Sequence, residues 1–304
     1  MWIKCGDQNS KFFHNFANQR RINNSIWDLM DWDGVVVSDQ HGLEMAAIDH
    51  FGRIFCDPRT SSLSDQLNII QYFPRLFSAE DSNYIGRPVT VDEVESILKI
   101  CAKEKSPGPD GWPVEFYLGF WDILGEDLCR LVEETRCQGY ISGALNSTFI
   151  ALIPKVSKPS SFDDFRPISL CNFIYKIIPK IIAERLKPFL AKVISPEQFG
   201  FLHHRQIHDA VGLAQEGTHT IKIKNLPAVL LKLDLVKAYD KIDWTFLRLL
   251  LLHIGMDHEL VGWIMACVTN VNFAVLVNGT PSPFFSSSIG LRQGAHYLLF
   301  YSFW

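Results

Sequence analysis

Leu231–Trp244 reads LKLDLVKAYDKIDW and continues an apolar run that begins at Ala228 and is broken only by Lys232. A short continuous apolar stretch predicts a strand buried on both faces. That strand would end at Asp234 and open onto a helix, so its carboxylate would emerge at the edge of the core, where it could hold a metal. Taken alone, the commoner fate of such an aspartate is helix capping, and Asp240 and Asp243 are read as capping groups too. Asp243 predicts a helix over 244–254, closed by Gly255.

Working outward, Phe273–Val277, the dipeptide Asn278-Gly279 and the stretch to Phe285 form a hairpin signal, because Asn-Gly supplies the positive φ of a tight turn. Strands alternating with helices around 228–285 imply a sheet layer of the α/β or α+β kind. Upstream, Phe149–Ile153 and Phe165–Leu170 are short apolar or β-branched runs separated by Pro, Ser and Lys, the pattern of a long-tipped hairpin with a basic tip. The stretch 176–190 has helical periodicity apart from Pro179 and Pro188, and Ser195-Pro196 would start another helix-like stretch. Thr90-Val91-Asp92-Glu93 has the form of a capping box and predicts a helix from Val91 to about Ala102. SPGPDG at 106–111 stops it, and another helix is expected near Pro113. Residues 1–85 read as a helical approach segment with turns at Asp33-Gly34 and Asp57-Pro58.

Composition is ordinary for a globular protein: 304 residues, 47% hydrophobic and 20% charged, which argues against disorder throughout. The formal charge of −4 gives no global nucleic-acid signal. Seven scattered cysteines without paired C-x-x-C spacing suggest reduced or incidental thiols. The start MWIKCGDQNSKFFHNF lacks the pattern of a secretory signal, and the most apolar segment, 246–254, is too short to span a bilayer, so an intracellular setting without membrane crossing is expected. There is no internal repeat and no low-complexity run.

Charge is informative only locally. Residues 155–192 hold eight Lys/Arg against three Asp/Glu, a net +5 within an acidic chain. A solvated face is the usual fate of such a run, yet Lys155 and Arg166 fall on the two expected hairpin strands, and paired cations there suit a triphosphate. In Gly290-Leu291-Arg292-Gln293-Gly294 a cation and an amide lie between glycines that allow close backbone approach. His203, His204 and His208 lack a convincing ligand set and read as a surface face. The dinucleotide, P-loop, serine-hydrolase and zincin motifs do not occur.

In order along the chain, SPGPDG, FIALIPKV, DFRPISLCNFIYKIIPKIIAERLK, PEQFGF, LKLDLVKAYDKIDW and GLRQG resemble the reverse transcriptases of plant-like LINE (non-LTR) retrotransposons. The leading WIKCGDQNSKFFHNFANQRR resembles the segment that precedes that polymerase, so the likeness covers nearly the whole chain. It implies an α+β right-hand polymerase with interleaved fingers and palm over 86–304, the palm incomplete, after a helical region over 1–85. It also implies RNA-directed DNA polymerisation with two magnesium ions, an RNA template, a DNA primer and dNTPs, in nucleus or cytoplasm. By the same resemblance Asp234 is the catalytic, metal-binding carboxylate and the Leu235 carbonyl completes that contact. Tyr239 matches the aromatic gate against a ribose 2′-hydroxyl, Arg166 and Lys155 match cations that hold the triphosphate, and Gln293, with Gly294, matches residues beside nucleotide and template.

The sequence departs from the family after Gly294. There AHYLLFYSFW stands where the family has an acidic or small residue followed by Pro-Leu-Ser-Pro, and the family's two adjacent downstream aspartates do not occur. A frameshift, a misjoined exon or an early stop would each give this pattern, and the chain alone is expected to be inactive and, with its aromatic end, poorly soluble. Two other readings compete: a non-catalytic RNA- or DNA-binding remnant that keeps the basic fingers, and a small metal-dependent hydrolase using Asp234 with Asp240 and Asp243.

Overall fold

The protein is described here from a computed structural model, covering residues 11–56, 62–195, 197–199, 206–233 and 238–292, with Phe12, Phe13, Asn23, Ala191, Val193, Ala238 and Tyr239 described in backbone only. Its elements, in chain order, are α1 (Lys11–Asn24), β1 (Leu29–Met30), β2 (Val36–Val37), α2 (Gln40–Phe55), α3 (Leu63–Ile70), α4 (Ala79–Ile85), α5 (Val91–Ile100), α6 (Val114–Gly119), α7 (Trp121–Gln138), α8 (Gly143–Asn146), β3 (Ser147–Pro154), β4 (Phe165–Cys171), α9 (Phe173–Val193), α10 (Ile207–Ile223), α11 (Trp244–His253), α12 (His258–Val268), β5 (Asn272–Val277), β6 (Thr280–Pro281) and β7 (Phe285–Ser286). Helix and sheet are thus mixed, as α+β implies.

The sheet runs in the order β4-β3-β5-β6, with β7 also pairing β5. The expected long-tipped hairpin is β3–β4, antiparallel from Thr148↔Cys171 to Pro154↔Phe165. β5 adds parallel to β3, Ser147 opposite Asn272. At the end of β5, Asn278 (φ 53°) and Gly279 (φ 86°) make the tight turn expected of Asn-Gly. One face of the sheet is closed by α2, whose Phe51 and Phe55 join Ile150, Phe273, Val275 and Val277 in a buried cluster.

A larger cluster surrounds α9, where Tyr175, Ile177, Ile178, Ile181, Leu186 and Leu190 are wholly buried. The helix runs unbroken through Pro179 and Pro188. Each internal proline costs about 3 kcal/mol, whereas each fully buried Ile or Leu contributes roughly 2 kcal/mol, so packing outweighs the breaks. The helix at Val91 starts as expected, with the Thr90 side chain accepting from the Glu93 amide. Glu93 does not fold back to close a capping box. Its carboxylate takes the Arg185 guanidinium, which is buried and also donates to the carbonyls of Ile85, Arg87 and Pro88.

The strand expected over Ala228–Leu233 is not formed. This segment is irregular, and Val229, Leu230, Leu231 and Leu233 are 75–93% exposed. An apolar strand is held by ladder partners on both sides, and among the described residues no strand pairs with it. No described helix is long and apolar enough to cross a membrane.

Candidate functional site

The β3–β4 register decides where the hairpin's cations point. Side chains alternate along a strand, and Thr148 and Ile150 are buried while Phe149, Ala151 and Ile153 face the opposite, more open side. Arg166 pairs with Ile153, so it shares that open face with Ile153 and Ile168, and it is exposed. Among the described residues no ion pair or hydrogen bond engages its guanidinium. Lys155 lies one residue past β3, and its ammonium donates to the Asp163 carbonyl at 2.8 Å, across the hairpin tip. The two cations are therefore on one hairpin, with Lys155 tied down and Arg166 presented.

The tip is tied together by polar contacts. Asp164 accepts from the Ser160 amide at 2.8 Å, from the Ser160 hydroxyl and from the Ser161 amide, and the Ser160 amide chiefly holds its carboxyl below the usual range. On its inner side His50 of α2 approaches Asp163 at 4.0 Å amid Phe51 and Phe162.

At the root of the hairpin three sequence motifs converge. The SPGPDG loop lies on the Cys171–Asn172 peptide so closely that a Cβ on Gly108 would stand 2.3 Å from the Asn172 nitrogen. Asn172, itself buried, accepts from the Asp110 amide and donates to the Ala144 and Leu145 carbonyls. From the far end of the chain, Arg292 enters the same place: its guanidinium lies 3.8 Å over the Tyr175 ring and donates to Asn146 and, at 3.8 Å, to the Cys171 sulfur. Tyr175 in turn donates to the Cys267 carbonyl at 2.7 Å, and Asn146 to the Thr269 and Asn270 carbonyls. Arg292 is thus a buried strut. Five residues along β4 separate Cys171 from Arg166, on the order of 17 Å at strand rise.

The segment 240–244 is bound to the same block. Ala238–Lys241 forms a 3₁₀ turn in which Asp240 is buried, and Asp243 caps α11 through the Phe246 amide as expected. Gly290, at φ +82°, donates to the Ile242 carbonyl and accepts from the Trp244 indole, both at 2.8 Å. A Cβ on it would stand 2.7 Å from the Asp240 carbonyl oxygen. Glycine is required by both conformation and space.

Of the residues assigned by resemblance, Asp234, Leu235, Gln293 and Gly294 lie outside the described residues, as does the Tyr239 side chain. His203 and His204 also lie outside them, and His208 is exposed on α10. Among the described residues no group of three or more His, Cys, Asp or Glu is placed to hold a metal. Asn146, Asn172 and Tyr175 carry no signal of their own in the sequence, because single polar or aromatic residues inside apolar runs look like ordinary core. The one usable sign was that Asn172 and Tyr175 sit in the densest motif, DFRPISLCNFIYK.

Comparison with known proteins gives a consistent picture. Residues 153–297 match the family described as reverse transcriptase (RNA-dependent DNA polymerase). The chain is 29% identical over 296 residues, 97% of its length, to the transposon TX1 uncharacterized 149 kDa protein of Xenopus laevis. It is 26% identical over 227 residues, 69% of its length, to the retrovirus-related Pol polyprotein from type-1 retrotransposable element R1 of Bradysia coprophila. It is 27% identical over 198 residues, 60% of its length, to the RNA-directed DNA polymerase from mobile element jockey of Drosophila melanogaster. The matches span about a fifth of each relative, 22%, 22% and 21%. These relatives do not support the plant-like affinity expected from the motifs.

Proposed function

We propose that this chain, whose residues 153–297 match the reverse transcriptase family and which is similar to proteins of non-LTR retrotransposons, forms the fingers and part of the palm of a right-hand RNA-directed DNA polymerase. The polymerase part occupies 86–304 and follows a helical region over 1–85. The observation that carries this reading is the family match itself, which covers residues 153–297, from the end of β3 through the GLRQG block. The convergence of SPGPDG, the β3–β4 root and Gly290–Arg292 on Asn146, Cys171 and Asn172 supports it, because one rigid block would hold segments that a polymerase must keep in register.

In this reading RNA is the template, a DNA primer supplies the 3′-hydroxyl, and the attack on a dNTP expels pyrophosphate. Arg166, exposed on the open hairpin face, neutralises triphosphate charge with help from Lys155. The Tyr239 ring excludes a ribose 2′-hydroxyl, and Gln293 and Gly294 border nucleotide and template. Asp234 and the Leu235 carbonyl would hold magnesium, which supplies Lewis-acid stabilisation of the phosphate oxygens.

The resemblance places two further metal-binding aspartates downstream of GLRQG, and they are not among these 304 residues. Losing a unit charge at about 4 Å costs about 4 kcal/mol at an effective dielectric of 20, or roughly three decades of rate. A polypeptide of these 304 residues is therefore expected to bind a template–primer without extending it. Filter binding across a salt series tests the first half, with a steep negative log-log slope expected, and binding that is absent or indifferent to salt would sink the polymerase reading. Primer extension with RNA template and magnesium tests the second. Incorporation that vanished on Asp234→Ala would overturn the expected inactivity while supporting the site.

A further inference from the structure

The SPGPDG loop, α6, α7, α8 and the start of α9 enclose a groove of about 490 Å³ to which the polymerase reading gives no work. On its α7 side stand Leu124, Leu128 and Leu131, at i, i+4 and i+7 of one helix. That stripe is about 10 Å long at helical rise, two turns of a helix laid beside it. Trp112 and Phe116, stacked with ring centroids 4.1 Å apart, form an aromatic wall, and Trp112 is 49% exposed. A helix-lined groove with apolar anchors at i, i+4 and i+7 has the form that takes the apolar face of an amphipathic helix.

Charge selects among occupants. The lining includes two carboxylates, Asp110 and Asp127, and no lysine or arginine. Asp127 has an exposed partner in Arg130 at 3.4 Å, and Lys176 acts on Asp110 from a distance. Yet α7 as a whole carries Asp122, Glu126, Asp127, Glu133 and Glu134 against Arg130 and Arg136, a net −3. Burial is the largest influence on Asp110 and pushes its carboxyl up, the response of a carboxylate short of cationic neighbours. A phosphate backbone would be repelled here, in contrast to the hairpin face.

We propose that this groove docks two turns of an amphipathic helix from a protein partner, with its apolar stripe on Leu124, Leu128 and Leu131 and a lysine or arginine set against Asp110 and Asp127. The test uses the whole 304-residue chain and three fluorescein-labelled probes followed by anisotropy: a 14-residue Leu/Lys amphipathic peptide, its Leu/Glu counterpart, and a single-stranded RNA dodecamer. The Leu/Lys peptide is expected to bind at least roughly tenfold more tightly than the Leu/Glu peptide. Ala144→Trp, which fills the groove from an exposed rim position, should weaken Leu/Lys binding by a similar factor, as should Leu131→Gln, each with the circular dichroism of the parent. Asp110→Asn with Asp127→Asn should close the gap between the two peptides. Equal binding of both peptides to the parent chain overturns the proposal, as does indifference to both groove variants. Displacement of the peptide by the RNA, with RNA binding lost in Trp112→Ala, would also overturn it and make the aromatic wall a base-stacking surface.

Discussion

Alanine at Gly290 tests the junction between the Ala238–Trp244 segment and Gly290–Arg292. At φ +82° an L-residue costs about 1 kcal/mol. The new methyl would stand 2.7 Å from the Asp240 carbonyl oxygen and 3.0 Å from its carbon. Both atoms are backbone, so no rotamer change relieves the clash, and forced overpacking adds roughly 1–3 kcal/mol. If the strand of chain moves away instead, the bonds to the Ile242 carbonyl and the Trp244 indole weaken, each contributing about 1 kcal/mol. The expected loss is about 3 kcal/mol, read by urea unfolding and, at roughly 2–4 °C per kcal/mol, as a melting point lower by about 9 °C. Gly279→Ala is the control, since Gly279 has φ +86° but nothing within 4 Å of its would-be Cβ. It should lose only the conformational part, about 1 kcal/mol. If the two variants lost equal stability, the close approach of Gly290 to Asp240 would be refuted, and with it the joining of the two motifs.

Two further outcomes follow from the hairpin and from the carboxylates. Arg166→Ala should lower the slope of log affinity for RNA against log salt by about one, and Lys155→Ala by less, because its ammonium already serves the Asp163 carbonyl; equal slopes for parent and Arg166→Ala would remove Arg166 from the phosphate contacts. Glu133 is held below its ordinary value of 4.5, first by its hydrogen bond from Arg136, so its contribution is present above that value and is lost as pH falls through the lowered one; Glu133→Gln should flatten the acid limb of stability against pH, and an unchanged limb would contradict the pairing.

Local chemistry was legible wherever it was self-sufficient. Asn278-Gly279, the caps at Thr90 and Asp243, and the β3–β4 hairpin were all read from a few adjacent residues, and all formed. What failed depended on distant partners. Ala228–Leu233 has the composition of a buried strand but no ladder among the described residues. Glu93 fits a capping box, yet a stronger partner, Arg185, lies 92 positions away. Pro179 and Pro188 looked like helix breaks because nothing local reveals how deeply α9 is buried. Within the candidate site Arg166 was legible as a cation on the second strand of the hairpin. Arg292 was not, since its burial depends on Tyr175 and Asn146, which lie more than a hundred residues before it.

The parallel pairing of β3 with β5 also bears on how the chain reaches this state. Ser147 meets Asn272 across 125 positions, whereas β3 finds β4 within a short hairpin. Long-range pairing is kinetically slow, so on a ribosome the hairpin emerges and closes well before its other neighbour exists. Until β5 arrives, one edge of β3 offers unpaired amides and carbonyls beside Phe149 and Ile150. Synthesis rate and chaperone supply, more than final stability, would then govern how much of this protein escapes aggregation.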